Sequence, residues 1–223
     1  MILPPFNWPA GPEQPRLMPG EIHIWRAPLD NAARLAGAEA VISRDESLKA
    51  GRFAFAPDRD RFIAAHGALR MVLAPYLAAD PCALEFKIGL SGKPALVQTF
   101  TDLRFNLSHS GDLALIAVTR GRDVGVDVEL VQADIAFEQI VEHYFDPAEA
   151  WSLRTAPPTA RVSRFFDLWT RKEACLKAEG SGLGGNPRLD RFRVRNLSPA
   201  QGYAGAIACE GDDWELACWD WSL

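Results

Sequence analysis

Apolar positions along this chain change their period several times, and each change marks the start of a different element. Residues 1–20 carry six prolines, Pro4, Pro5, Pro9, Pro12, Pro15 and Pro19, which forbid a helix and predict an extended segment. From Glu21 to Ala27 (EIHIWRA), Ile22 and Ile24 alternate with His23 and Trp25, as in a strand. Two helical stretches are expected next, over about 30–50 and 58–79. In the second, Phe62, Leu69, Leu73 and Tyr76 fall on one face and Arg59, His66 and Arg70 on another. Between 84 and 131 the period drops to two. Leu103, Phe105 and Leu107 alternate with polar neighbours, Leu113–Val118 is a nearly continuous apolar run, and Val124, Val126 and Val128 alternate with Gly125, Asp127 and Glu129. Gly121-Arg122-Asp123 reads as the hairpin turn between the last two of these strands. Helical spacing returns over 134–153, with a second short helix beginning at Asp146-Pro147. The strongest helix runs from Arg161 to Gly180, where Gly180-Ser181-Gly182 stops it. The last 40 or so residues alternate weakly, as strands do.

This order of strand, helices, strands, then helices and strands again predicts an α+β protein. Two similar α/β halves are expected to pack together, with a boundary near 120. The predicted organisation is a proline-rich segment (1–20), an N-terminal half (21–120) and a C-terminal half (121–223). No sequence repeat accompanies it, so any symmetry between the halves is structural.

Composition narrows the function classes. Of 223 residues, 48% are apolar and 24% charged, an ordinary globular balance. A net charge of −5 argues against a general nucleic-acid binder, which needs a basic face to displace phosphate counterions. No apolar run reaches the ~20 residues of a membrane span, and the N-terminus lacks the charged and apolar regions of a signal peptide. Cys82, Cys175, Cys209 and Cys218 form no C-x-x-C pair, so a cytoplasmic protein with reduced thiols is expected.

Four short segments carry candidate chemistry. In Gly125-Val126-Asp127-Val128-Glu129 the valines face a core, and the two carboxylates share the other face, roughly 6–7 Å apart along the backbone. Carboxylates that close repel unless a cation intervenes, and a hard, oxygen-seeking ion such as Mg²⁺ suits them. Taken alone, D-x-E on a strand more often marks a solvated edge; Gly125 favours function slightly, since a missing side chain admits a ligand. On the helix around Phe165–Lys177, Trp169, Glu173 and Lys177 lie four residues apart on one face, while Phe165, Leu168 and Leu176 are placed to anchor it. Glu173–Lys177 is either a surface ion pair or a third carboxylate beside a phosphate-binding lysine. In Phe105-Asn106-Leu107-Ser108-His109-Ser110-Gly111, adjacent Ser108 and His109 point to opposite faces, which disfavours a Ser–His nucleophile and suits phosphate oxygens instead. Ser91-Gly92-Lys93-Pro94 lacks P-loop spacing and reads as a rigid turn presenting a lysine.

In order, GKP (92–94), FNLSHS (105–110), GVDVE (125–129) and FFDLWTRKEACLKAEGSGL (165–183) resemble the motifs of the 4′-phosphopantetheinyl transferases, of the type that activates surfactin synthetase. The resemblance covers about residues 45–185. It implies two similar α/β halves related by a pseudo-twofold axis, with coenzyme A in the cleft between them. It implies that Asp127, Glu129 and Glu173 gather round Mg²⁺, that Lys177 contacts the phosphates and steadies charge in the transition state, and that Lys93, Ser108 and His109 hold phosphates, the 3′-phosphate among them. Pro94 then lies beside the adenine, and Glu173 either accepts the serine proton or only binds metal. Lys172 belongs to the same helix motif without a clear role. Basic residues in the region of Lys49, Arg52, Arg59, Arg61 and Arg70 face the nucleotide in such a family, with Arg52 and Arg61 favoured here. The implied reaction moves phosphopantetheine from coenzyme A to a serine of an apo acyl or peptidyl carrier protein and releases 3′,5′-ADP. The two-half length resembles the monomeric, broad-specificity type that serves polyketide or nonribosomal peptide synthesis. The competing readings are a magnesium-dependent hydrolase of coenzyme A or a related nucleotide, and a coenzyme A binding module without catalysis.

Overall fold

The computed structural model describes residues 8–89, 92–97, 101–180 and 189–221. Strand β1 (Glu21–Pro28) leads into α1 (Ala32–Val41), α2 (Arg44–Ala50) and the long α3 (Ala56–Leu77). The expected single stretch over 30–50 is two helices. Ser43 breaks it by forming a reciprocal capping box with Glu46, which makes a new helix start cheaper than continuation. A short ribbon, β2 (Phe86–Ile88) with β3 (Pro94–Leu96), precedes the hairpin β4 (Leu103–Ser110) and β5 (Leu113–Arg120). The second half repeats the plan: β6 (Val124–Leu130), then α4 (Glu138–Tyr144), α5 (Pro147–Arg154) and the long α6 (Arg161–Glu179), then β7 (Phe192–Leu197) and β8 (Tyr203–Glu210). Asp146 caps α5 in a second capping box, and Pro147 occupies its first turn. Gly180 ends α6 in a left-handed conformation, φ 75°, its N–H donating to Leu176 O. Ser181–Leu183, the end of the helix motif, lie outside the described residues.

The sheets display the duplication. The first has the order β4-β5-β1 and the second β7-β8-β6, each a strand followed by helices and completed by a returning hairpin. The first sheet then gains a fourth strand from far along the chain, because β9 (Glu215–Asp220) pairs parallel to β1, from Glu21 opposite Glu215 to Arg26 opposite Asp220. Arg26 locks this pairing by donating from Nε and Nη2 to the two carboxylate oxygens of Asp220, at 2.5 and 2.7 Å. The segment before β1 runs along β9: Gly11 N–H donates to Asp220 O, Asp220 N–H donates to Pro9 O, and Trp8 is buried with Arg26 over its ring.

The layers follow as α3, first sheet, second sheet, α6. Trp25, Phe105 and Ile116 pack against Leu69 and Leu73 of α3. The opposite face of the same sheet, with Ile22, Ile24 and Leu115, meets Val124, Val126, Val128 and Ile207 of the second sheet. β1 is therefore buried on both faces. Its polar face is accommodated because His23 Nδ1 and Trp25 Nε1–H both hydrogen-bond the Tyr76 hydroxyl, at 2.7 and 2.8 Å. α6 lies close on the second sheet through small residues, Ala174, Ala178, Ala206 and Ala208. A Cβ on Gly125 would stand 2.1 Å from Ala174 O, so that glycine admits the helix rather than a ligand.

Candidate active site in the cleft between the halves

The two sheets meet along the edge strands β4 and β6, and the seam is a row of side chains. The free edge of β6 presents the N–H groups of Val126, Val128 and Leu130. They donate to Asn106 Oδ1, Ser108 Oγ and Ser110 Oγ of β4, at 2.8, 3.3 and 3.1 Å. Alternate residues of FNLSHS thus satisfy an edge that would otherwise need a further strand.

Asp127 sits in this seam at 1% exposure, so the solvated-edge reading of D-x-E does not hold. Its Oδ1 accepts from Ser108 Oγ at 2.9 Å and from Lys177 Nζ at 2.6 Å. Its Oδ2 is buried and, among the described residues, has no hydrogen-bond partner. Lys177 also donates to Ser108 Oγ at 2.9 Å. Glu129 accepts from Ser110 Oγ at 2.8 Å and is hydrogen-bonded by Trp169. Burial raises the pKa of Asp127, which Lys177 and Ser108 only partly offset; burial and then Asp127 raise that of Glu129. Glu173 is raised by burial and by the charges of Asp127 and Glu129, against the pull of Lys177.

The three acidic side chains feel one another across the cleft, yet among the described residues no three of His, Cys, Asp or Glu close into a metal site. What the structure offers a cation is an all-oxygen donor set containing one unpartnered, buried carboxylate oxygen. That fits a hard ion such as Mg²⁺, whose remaining ligands are commonly substrate phosphates and water.

A cavity of about 220 Å³ opens beside these groups. Gly92, Lys93, Pro94 and Leu107 line it from the first half, and Glu173, Leu176 and Lys177 from α6. A larger depression of about 350 Å³, lined by Phe137, Val141, Leu153 and Arg161, lies among α4, α5 and α6 and holds none of these chemical groups. Lys93 does not project into open solvent. Its ammonium donates to Val124 O at 3.0 Å and Ala178 O at 2.8 Å, fastening the β2–β3 ribbon to the second half, and burial lowers its pKa. Ser108 is 6% exposed and its hydroxyl is saturated, with one bond donated and two accepted.

His109, on the opposite face of β4, is exposed. Surrounding protein withholds solvation from it, and His66, Lys177, Lys49 and Arg61 add like charge, so its pKa falls to about 4. These cations come from α2, α3 and α6 and form one basic patch around His109. Arg61 reaches it while paired to Asp112 at 2.8 Å. Arg52 is exposed just after α2.

Arg59 pairs with its neighbour Asp60 in solvent. Arg70 is 1% exposed and donates to Glu46, Pro81 O and Leu84 O, so it serves the fold. Lys172 turns from the cleft to Glu149 at 3.0 Å and to the Phe145 ring. Sequence reasoning put His66 on a helix face but gave it no role. The structure packs its ring, tilted, against Phe62 and hydrogen-bonds its Nδ1 to Glu46 Oε1 at 2.9 Å. The signal was the spacing of Glu46 from the buried cation Arg70, which no local pattern exposes.

Comparison with known proteins decides the family. The 4′-phosphopantetheinyl transferase superfamily matches residues 123–221, and the 4′-phosphopantetheinyl transferase N-terminal family matches residues 25–121. The 4′-phosphopantetheinyl transferase HetI of Nostoc sp. is 34% identical over 231 residues, covering 96% of this chain and 98% of the relative. The chain belongs to the 4′-phosphopantetheinyl transferase superfamily. Within it, the Sfp transferase of Bacillus subtilis strain 168 is 30% identical over 156 residues, 70% of this chain and 67% of Sfp. A phosphopantetheinyl transferase of Thraustochytrium sp. is 31% identical over 187 residues, 74% of this chain and 63% of that protein. The two transferase segments meet between β5 and β6, where the duplicated plan restarts, and the second of them includes β9, which the first sheet receives.

Proposed function

We propose that this transferase moves the 4′-phosphopantetheine of coenzyme A onto a serine of an apo acyl or peptidyl carrier protein, with Mg²⁺ and with release of 3′,5′-ADP. The observation that carries the reading is the Lys177–Asp127–Ser108 cluster, in which Asp127 is buried with its Oδ2 unpartnered among the described residues, between a two-sided cavity and a basic patch.

Asp127, Glu129 and Glu173 would hold the cation. A cation held there would supply positive charge at the pyrophosphate oxygens and so ease departure of the leaving group. Lys49, Arg61 and His66, with exposed Arg52, draw the nucleotide phosphates towards the basic patch, where His109 offers an uncharged imidazole N–H as a donor. Pro94, at the cavity wall, flanks the adenine, and Lys93 holds the ribbon that carries it. The carrier serine oxygen bonds to the β-phosphorus of coenzyme A while the bond from that phosphorus to the bridging oxygen breaks. Glu173, which lines the cavity beside Lys177, takes the serine proton directly or through water. Lys177 offsets the negative charge that accumulates on the phosphoryl oxygens.

Both walls of the cleft come from one chain, which supports action as a monomer. Among the described residues no helix is long and apolar enough to cross a membrane, in keeping with work in the cytoplasm.

The test is intact-mass spectrometry of apo carrier proteins incubated with the enzyme, coenzyme A and Mg²⁺. One added phosphopantetheine on a carrier serine, lost with a chelator, is expected. Coenzyme A cleaved with every carrier unmodified would replace this reading with a hydrolase.

A further inference from the structure

We propose that Ser108 and Ser110 are positioning residues, whose hydroxyl protons orient Asp127 and Glu129 for the cation. The inference rests on the reading that those carboxylates hold the metal.

The seam repeats every second residue. Ser108 accepts the N–H of Val128 and donates to Asp127; Ser110 accepts the N–H of Leu130 and donates to Glu129. Each serine thus grips one β6 residue by its side chain and the next by its backbone. The β6 N–H groups at these three rungs need only an acceptor. The third rung shows this, because Asn106 caps Val126 through its amide oxygen where the preceding residue is Gly125, which has no side chain to orient. Where the preceding residue is a carboxylate, the rung is a hydroxyl, which accepts and donates at once. The donating half of each serine therefore exceeds what these N–H groups require, and both serines direct it at a carboxylate of the cleft.

For Asp127 the effect reaches a single atom. Ser108 and Lys177 both engage Oδ1, which fixes the carboxylate rotamer and leaves Oδ2 as the available oxygen. Ser108 keeps no bonding capacity for a phosphate, which separates this role from phosphate holding. Outer partners that orient metal-binding carboxylates change metal affinity about 10- to 100-fold when removed.

The experiment titrates Mn²⁺ into the full-length enzyme with coenzyme A present and reads free Mn²⁺ by electron paramagnetic resonance. Coenzyme A affinity is measured separately by calorimetry in chelator. Ser110→Ala and Ser108→Ala are expected to weaken Mn²⁺ binding about 10-fold or more. Their coenzyme A affinity in chelator stays within about twofold of the parent, and Ser110→Thr, which keeps the hydroxyl, restores Mn²⁺ binding. Unchanged Mn²⁺ affinity with a lowered melting temperature would overturn the proposal and leave the serines as seam closures. A tenfold loss of coenzyme A affinity in chelator would overturn it in favour of phosphate holding. If Ser108→Ala fails to fold, Ser110→Ala, at the exposed end of the seam, carries the test alone. A parent enzyme that binds no Mn²⁺ alongside coenzyme A would instead remove the cation reading beneath the proposal, and intact-mass loading of carriers would still report on the transferase reading separately.

Discussion

At the scale of single residues, the cleft stores charge that burial disfavours and, among the described residues, leaves one oxygen of Asp127 unpaired. Asp127→Asn keeps the shape and removes the charge. Carrier loading by intact mass should fall about 100-fold or more, with the circular dichroism of the folded protein retained. Acid stability belongs to other groups. Burial pushes Glu46 up, but hydrogen bonds from His66, the Ser43 N–H and Arg70 outweigh it and hold Glu46 at about 2. A carboxylate depressed on folding adds stability above its unfolded value of 4.5, and that stability is lost as pH falls towards 2. The loss should be about 3 kcal/mol over that window. Glu46→Gln should be less stable than the parent at pH 7 and should flatten this part of the profile, read by urea unfolding at each pH. His109 acts at higher pH. Its pKa drops from 6.5 to about 4, so between those values the unfolded chain binds the extra proton and stability falls as pH is lowered. His109→Gln should remove that slope between pH 6.5 and 4 in the same unfolding series. The acidic pair and the Trp169–Glu173–Lys177 face were readable in the sequence, because period two and period four act locally. The saturated hydroxyl of Ser108 and the carbonyl-bound ammonium of Lys93 were not, since their partners lie tens of residues away on another strand or helix.

At the scale of elements, helix starts and stops were legible where capping chemistry is local, as at Gly180 and at Asp146-Pro147. The break at Ser43 was missed although its capping box lies in the sequence, because apolar spacing runs on through it. The three-residue strands β2 and β3 are too short to show a period. Gly125 illustrates how one residue sets the distance between elements. Its α-carbon faces the α6 backbone, and an added methyl would meet Ala174 O at 2.1 Å and Ala178 N at 2.3 Å. Neither backbone atom can yield without moving α6 away from β6, and with it Glu173 and Lys177 from Asp127. Gly125→Ala should therefore cost at least ~3 kcal/mol in chemical denaturation, and any folded fraction should load carriers poorly. A parent-like denaturation midpoint would show that α6 has slack at this crossing.

At the scale of the whole molecule, the halves share a plan but are not separable. β9 completes the first sheet, the segment from Trp8 to Gly11 lies along β9, and the valines of β6 fill the space behind β1. Expressed without residues 212–223, the chain would leave β1 with an open edge and remove Trp214 from the central core. Aggregation is expected in size-exclusion chromatography. A monodisperse, coenzyme A-binding truncation would show that β9 is dispensable. This long-range pairing was invisible in the sequence: the last 40 residues read as strands, but nothing local names a partner some two hundred positions earlier. The same feature sets an order of events during synthesis. A ribosome delivers β1, its helices and the β4–β5 hairpin early, yet one side of β1 stays bare until residues 215–220 emerge. For most of translation the nascent protein therefore carries an unfinished border, and the time spent in that condition lengthens with every pause along the second half.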